Sequence, residues 1–252
     1  MPDSSAMSER IGVLGAGVMG AGIAQVLAIA GHEVVGYDVS PDALAKARVG
    51  TDTGRFGVKG AVERGKLTAD EAEAALARLT FTDDLDAATA TADLVIEAVP
   101  ERLDLKVKVF RDLDRRCAPA TLLVSNSSGY PISALSAATD RPDKVVGWHW
   151  ASPAPVMKLA EIVRAPDTSD ETVQTVVRIA AAAGKNPVVV KDASRSWGYV
   201  ANRVYFAMIR EAKQVVQEGV ATPEEVDQLM VDCFRWPTGP FAMTQGAGSG
   251  WS

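Results

Sequence analysis

Two histidines are all this chain offers as bases that titrate near neutral pH, which narrows the search for proton-transfer chemistry. His32 follows Gly31 in a turn before an apolar run, where a surface or capping role is expected. His149 stands inside the run KVVGWHW (144–150), and Glu161 inside a second run, VMKLAEIV (156–163), with ASPAP between them. So short a Pro-containing connection predicts a locally antiparallel pair of strands, with imidazole and carboxylate brought together across it. A carboxylate on one ring nitrogen fixes the tautomer and stabilises the imidazolium formed when the other nitrogen takes a proton. The competing reading is a half-buried structural histidine. A second cluster, Ser125-Asn126-Ser127-Ser128, follows the strand-like TLLV. Small hydroxyl and amide groups at the carboxyl end of a strand suit chemistry in an open α/β sheet, and suit equally well the capping of a helix that begins near Pro131. Cys117 and Cys233 lie far apart without metal-ligand spacing, so no metal site or disulfide framework is expected and both read as buried free thiols.

A third pattern binds rather than reacts. Ile11, Val13 and Leu14 form a short apolar run, and Gly15-Ala16-Gly17-Val18-Met19-Gly20 supplies the G-x-G-x-x-G spacing where that strand turns into a helix. Gly15 permits the tight turn, Gly17 has no Cβ to hold a pyrophosphate away from the backbone, and Gly20 lets helix and strand lie close. The unpaired N–H groups of the first helical turn, from Val18 and Met19 onward, favour an anion together with the helix dipole. The helix stops at Gly31, and a second apolar strand (33–37) ends in Asp38, about 20 residues beyond the glycines. A carboxylate there accepts hydrogen bonds from the adenosine ribose and repels a 2′-phosphate, so the expected cofactor is NAD rather than NADP.

The elements that must position these residues can be read in order. Ser40-Pro41 opens a helix expected to run to about Val62, weakened by Gly54, Gly57 and Gly60, and Thr68 to Glu71 forms a capping box for an Ala-rich helix to Leu79. This helical pair either walls a substrate cleft, with Arg55 and Lys59 available to phosphates, or presents a solvated face. A short strand at 79–82 precedes the continuous apolar run 93–99, typical of a parallel strand buried on both faces, whose end from Ala98 to Glu101 should border the cofactor. A helix over 104–116, a capping box at Thr168 to Glu171 with a helix ending at Gly184, and a last strand over 186–191 complete a Rossmann-type, mostly parallel sheet with helices on both faces. From Tyr199 only helices are expected, one to about Glu218 and one from the capping box at Thr222, interrupted by WPTGP (236–240). The chain thus divides into an α/β domain at 8–192 and a small all-α domain at 193–252, after a flexible tail over residues 1–9.

A chain of 252 residues with 47% hydrophobic and 23% charged residues is long enough for such a pair of domains. A net charge of −6 with no basic run argues against a nucleic-acid partner. No apolar stretch reaches the ~18 residues a membrane span needs, and the polar start MPDSSAMSER lacks a signal-peptide core, so a cytoplasmic location is expected.

Further motifs carry a resemblance. IEAVPE (96–101), SNSS (125–128), GWHWASPAPVMKLAEIV (147–163), GYVANR (198–203) and TGPFAM (238–243), in this order after the glycine fingerprint, resemble the L-3-hydroxyacyl-CoA dehydrogenase family over nearly the whole chain. The resemblance implies NAD-dependent, reversible oxidation of an L-3-hydroxyacyl-CoA to the 3-ketoacyl-CoA, within fatty acid metabolism. By the same likeness His149 is the base, Glu161 orients it, Ser128 lies near the substrate oxygen and the cofactor, and Asn202 donates to a polarised oxygen. Glu101 and Lys106 match residues near the cofactor. Ser152 replaces the Asn usual in H-x-x-N-P and bears on nicotinamide or substrate contacts, and the linker from Asp192 to Tyr199 departs from the family pattern. A dehydrogenase of a hydroxy acid without CoA, such as a sugar acid or carnitine, and an idle NAD-binding module are the rival functions.

The helical domain reads as shortened relative to the family. Val200, Val204, Met208, Ala212 and Val216 form one stripe suited to packing on the first domain, whereas Tyr205, Phe206 and Ile209 point elsewhere. A helix apolar on more than one side must bury more than one side, and burial against a second copy predicts a symmetric homodimer, as relatives in the family form. The alternative is that Trp236, Phe241 and the Gly-rich terminus cover the patch.

Overall fold

Apolar runs of strand length separated by helices have one compact solution, a sheet covered on both faces. The computed structural model, which describes residues 8–193 and 196–249, contains such a sheet. Strands β1 (Arg10–Leu14), β2 (Glu33–Tyr37), β3 (Leu79–Thr82), β4 (Leu94–Glu97), β5 (Leu122–Ser125) and β6 (Val145–Trp150) are parallel, in the order β3-β2-β1-β4-β5-β6. Strand β7 (Leu159–Arg164) joins β6 antiparallel, and β8 (Asn186–Lys191) lies parallel to β7 at the edge. The strand order reverses between β1 and β4, and ligands bind outside the carboxyl ends of strands at such a switch point.

Eight helices accompany the sheet among the described residues: α1 (Val18–Ile29), α2 (Pro41–Asp52), α3 (Val58–Glu63), α4 (Ala69–Ala77), α5 (Leu85–Thr89), α6 (Leu103–Arg116), α7 (Ile132–Ser136) and α8 (Asp170–Ala182). Leu94, Ile96, Val124, Val146, Trp148 and Ile162 are buried in the core, where Trp148 and Trp150 stack with ring centroids 4.6 Å apart. Each such side chain contributes about 1.5–3 kcal/mol on burial. The central strands therefore need no polar-outward alternation, and all four residues of β4 are buried.

The second compact unit, from Trp197 onward, contains α9 (Val200–Gln217), α10 (Pro223–Phe234) and α11 (Pro240–Ser249). The capping boxes at Thr68 and Thr222 form as expected, with both reciprocal hydrogen bonds present. Along the expected stripe of α9, Val200, Val204 and Met208 line one apolar groove with Trp236, Pro237 and Met243, and Ala212 is buried while Val200 and Val204 are exposed; Ile209, off the stripe, is buried as well. The interruption at residues 236–240 is followed by a helix, and the Gly-rich residues are helical through Ser249, with residues 250–252 outside the described part.

Other expectations are corrected. The helix opening at Ser40 ends at Asp52, and a turn containing Gly54 and Gly57 separates it from α3. Thr168 does not cap α8: it is buried, its hydroxyl donating to the Val145 carbonyl and accepting from the Ala165 N–H, and Ser169 caps the helix instead by accepting from the N–H of Thr172. Helix α5, capped by Asp84, was not expected because it spans only 5 residues. The tail does not extend to residue 9, since Glu9 is buried, its backbone N–H donating to His32 Nδ1 at 3.2 Å and its carboxylate pairing with Arg178 at 2.5 Å, and residues 1–7 lie outside the described part. His32 is therefore a buried anchor rather than a surface residue, its pKa lowered chiefly by burial against the opposing charge of Glu9. Cys117 is buried, with its thiol pushed up to about 11 by desolvation, whereas Cys233 is exposed.

Candidate active site

The glycine loop between β1 and α1 separates what the fold requires from what a ligand requires. Gly15 has φ +98°, and a Cβ there would lie 2.6 Å from the Ala98 carbonyl oxygen; a Cβ on Gly20 would lie 1.7 Å from the Gly15 oxygen. Both glycines are demanded by packing. A Cβ on Gly17 would meet nothing within 4 Å, so its absence keeps open a space over the N-terminus of α1. Gly17 caps α1 without a side-chain hydrogen bond and no acidic residue occupies the first turn, leaving Val18 and Met19 to present backbone N–H groups to an anion. Asp38 closes the cradle from the end of β2, its Oδ2 accepting from the Ala16 N–H at 2.8 Å and its Oδ1 from the Ser40 N–H at 2.9 Å. These residues fit a dinucleotide: Gly17 and the start of α1 would hold the pyrophosphate, and Asp38 the ribose.

The second centre lies at the β6–β7 pair. The antiparallel register sets His149 directly opposite Glu161, and the imidazole Nδ1 lies 2.7 Å from Glu161 Oε2. Both side chains are buried, at 5% and 3% exposure, in a region where a weakly screened charge acts strongly. In the tautomer whose Nδ1–H donates to the carboxylate, Nε2 carries a lone pair, an arrangement able to accept a proton. The Trp150 N–H donates to Asn126 Oδ1 at 3.1 Å, tying the end of β6 to the serine turn after β5. Ser152 is exposed on the loop that follows, and Asn202 stands in the first turn of α9 in the second unit.

The serine turn is held by Glu101 and Lys106, which the family resemblance had placed near the cofactor. Glu101 Oε1 accepts from the Ser127 hydroxyl at 2.6 Å and from the Ser128 N–H at 2.9 Å. Lys106, only 1% exposed, reaches Glu101 at 3.1 Å and Glu97 at 2.8 Å. Ser125 and Ser127 were legible only as members of the serine cluster, and Glu97 was missed; the available signal for it was a glutamate inside the otherwise apolar run LVIEAV, which must be partnered if buried. Burial pushes the Glu97 carboxyl up, opposed by the Lys106 ammonium and by hydrogen bonds from Ser125 and Val99.

Two cavities flank α1, the first beside the cradle and the second along the later turns of the helix at Gln25, Ile29 and Ala30. One of about 610 Å³ lies between the glycine loop and α2, lined by Gly17, Ser40, Lys46, Arg55 and Pro153 among others. The other, of about 690 Å³, is lined by Arg55, Arg64, Lys66, Lys158 and Lys185 with Phe56, and no carboxylate contributes to its lining. Arg55 thus faces both cavities, while Lys59 pairs with Asp52 at 3.0 Å on the surface. Among the described residues no cluster could hold a metal ion and no helix is long and apolar enough to cross a membrane.

Comparison with known proteins agrees with this geometry. Residues 10–193 match the model of the 3-hydroxyacyl-CoA dehydrogenase NAD binding domain, and residues 198–252 that of the 3-hydroxyacyl-CoA dehydrogenase C-terminal domain. The chain is 42% identical to a probable 3-hydroxybutyryl-CoA dehydrogenase of Bacillus subtilis, covering 95% of this chain and 81% of that relative. It is 40% identical to a 3-hydroxyadipyl-CoA dehydrogenase of Escherichia coli, covering 94% of this chain and 48% of the longer relative. The crystal structure of (S)-3-hydroxybutyryl-CoA dehydrogenase from Ralstonia eutropha superposes with a TM-score of 0.87 at 37% identity, covering 94% of this chain and 81% of that one. The glycine cradle that fits NAD, the sheet order and these matches together make this chain a member of the 3-hydroxyacyl-CoA dehydrogenase family of NAD-dependent oxidoreductases.

Proposed function

We propose that the protein reversibly oxidises the 3-hydroxyl of an L-3-hydroxyacyl-CoA to the ketone, with His149 as general base. The observation that carries this reading is the buried 2.7 Å pair of His149 and Glu161. His149 Nε2 takes the hydroxyl proton while Glu161, bonded to Nδ1, stabilises the imidazolium that forms. Bound NAD supplies the acceptor for the hydride leaving C3. Ser128 holds the substrate oxygen, so that the reacting C–H bond is oriented before transfer, and the family resemblance gives Asn202 of the second unit the role of an amide donor to a polarised oxygen. Glu101 and Ser152 line the nicotinamide side, and Lys106 contributes through Glu101, since its own ammonium is buried. The cation-lined cavity supports a polyanionic substrate such as an acyl-CoA over an uncharged alcohol.

A substrate panel followed by NADH absorbance tests the reading. Turnover of acetoacetyl-CoA with NADH, and none of free sugar acids, carnitine or free 3-keto acids, is expected; equal turnover of the free acids overturns the CoA requirement, and no turnover of any substrate leaves an NAD-binding module. The helical unit supports pairing of two copies, because Val204, Leu229 and Phe234 are more than half exposed there, at 66%, 62% and 59%. Light scattering should report a homodimer, and a monomer at micromolar concentration refutes it.

A further inference from the structure

Burying a carboxylate is costly unless every lone pair is served, and Glu97 is 0% exposed at the carboxyl end of β4. Its Oε1 accepts from Lys106 Nζ and from the Val99 N–H, each at 2.8 Å, and its Oε2 accepts from the Ser125 hydroxyl at 2.7 Å. Two routes lead from these contacts to Ser128. In the first, Ser125 Oγ accepts from the Ser127 N–H at 3.1 Å. In the second, Lys106 holds Glu101, whose Oε1 receives both the Ser127 hydroxyl and the Ser128 N–H. The routes meet at Ser127, whose hydroxyl in turn accepts from the N–H groups of Gly129 and Tyr130 at 3.2 and 2.9 Å.

We propose that Glu97 is a positioning residue for the dehydrogenase reaction: it closes a ring of Lys106, Glu101, Ser127 and Ser125 that fixes the backbone of Ser128. The ring ties together the end of β4, the first turn of α6 and the end of β5, three segments that meet only because the strand order makes β4 and β5 neighbours. A single hydrogen bond would leave the serine turn free to pivot. Two converging routes remove that freedom, and misplacing a substrate-holding group by even about 1 Å costs on the order of 10²-fold in rate. Because Glu97 has no exposed surface, it acts through these neighbours and not by touching substrate. The inference rests on the assignment of Ser128 to the substrate oxygen.

A double-mutant cycle tests it with a readout that general destabilisation does not imitate. Glu97→Gln keeps the side-chain volume but removes the charge that answers Lys106, and its amide NH2 can only donate toward Ser125 Oγ where the carboxylate accepted, so the ring is weakened on both sides. With acetoacetyl-CoA and NADH, Glu97→Gln should lower kcat about tenfold, change NADH affinity less than twofold, and cost nothing further in the Ser128→Ala background. Independent, multiplicative losses in the double mutant, or a folded Glu97→Gln protein with unaltered kcat, overturn the role. Should Glu97→Gln fail to fold, Ser125→Ala cuts the first route alone and should lose about threefold, again only while Ser128 is present; a loss that persists without Ser128 overturns the proposal. Full activity of Ser128→Ala by itself would instead refute the assignment of Ser128, and this role with it.

Discussion

Between residues 15 and 38 the cofactor cradle is made of backbone: a glycine loop, the open N-terminus of α1 and one carboxylate that accepts two main-chain N–H groups. The proposed catalytic corner is made of side chains drawn from residues 97–161, and its key contacts span 12 residues from His149 to Glu161 and 27 from Ser128 to Glu101. Backbone groups are aimed by local conformation, so a cradle can be written within one βαβ unit. Side chains in a low-dielectric interior must instead have every charge answered, and the answering groups come from whichever strands the topology places alongside. Binding and chemistry should therefore be separable by mutation, the first through glycines and the second through buried polar groups.

The largest test of that separation is His149→Gln, which should lower kcat by about two to four orders of magnitude and leave NADH affinity nearly unchanged. Stopped-flow turnover paired with NADH fluorescence titration would measure both. A mutant that turned over at the wild-type rate would remove His149 from the mechanism, and one that lost NADH would merge the two regions.

Within the cradle the glycines themselves should behave differently. Gly17→Ala adds a methyl group to open space, so thermal stability should hold while NADH affinity weakens about tenfold. Gly20→Ala forces a clash with the Gly15 carbonyl and should cost about 1–3 kcal/mol of folding stability. Equal melting temperatures for the two variants would contradict the division between fold-required and ligand-required glycines. A milder change at the other end of the cradle, Asp38→Ser, should reduce the preference for NAD over NADP several-fold, measured as the ratio of kcat/KM for the two. A wild type that used both equally well would disprove the role of Asp38.

The smallest expected effect concerns the loop beyond the catalytic strand. Lys185 is buried, donates to the carbonyls of Ala154 and Met157 at 2.6 and 2.8 Å, and lies 5.1 Å from the centre of the Trp150 ring. Burial, with the nearby Lys158 ammonium, lowers its pKa from 10.5 to about 8. The unfolded chain then binds more protons than the folded one between those values, so this residue's contribution makes stability rise with pH from about 8 to 10.5. Denaturant titrations across that range should show a flatter pH dependence in Lys185→Met than in the wild type. Identical slopes would mean that the lysine is not perturbed in the folded state.

Most of the sheet was legible in the chain itself. The last strand was expected over 186–191 and occupies Asn186–Lys191, and the antiparallel pair that joins His149 to Glu161 followed from the short Pro-containing connection. Errors fell where local signals competed. Thr168 and Ser169 can both cap a helix, and only the inward turn of Thr168 toward the Val145 carbonyl decided between them. The stripe of α9 shows what spacing can state: which residues share a face, while neighbours decide how much of that face is covered.

Spacing and residue type by themselves determined the NAD cradle, the run of parallel strands and the candidate base, because each depends on backbone conformation or on residues close in sequence. Only the tertiary structure decided that Glu97 is buried and ringed by Lys106, Ser125, Ser127 and Glu101, and that Glu9 meets His32 through its backbone N–H and Arg178 through its carboxylate. A lone charged residue carries no mark of its future partner; the partner is set by which strands become neighbours, and burial then makes that pairing obligatory.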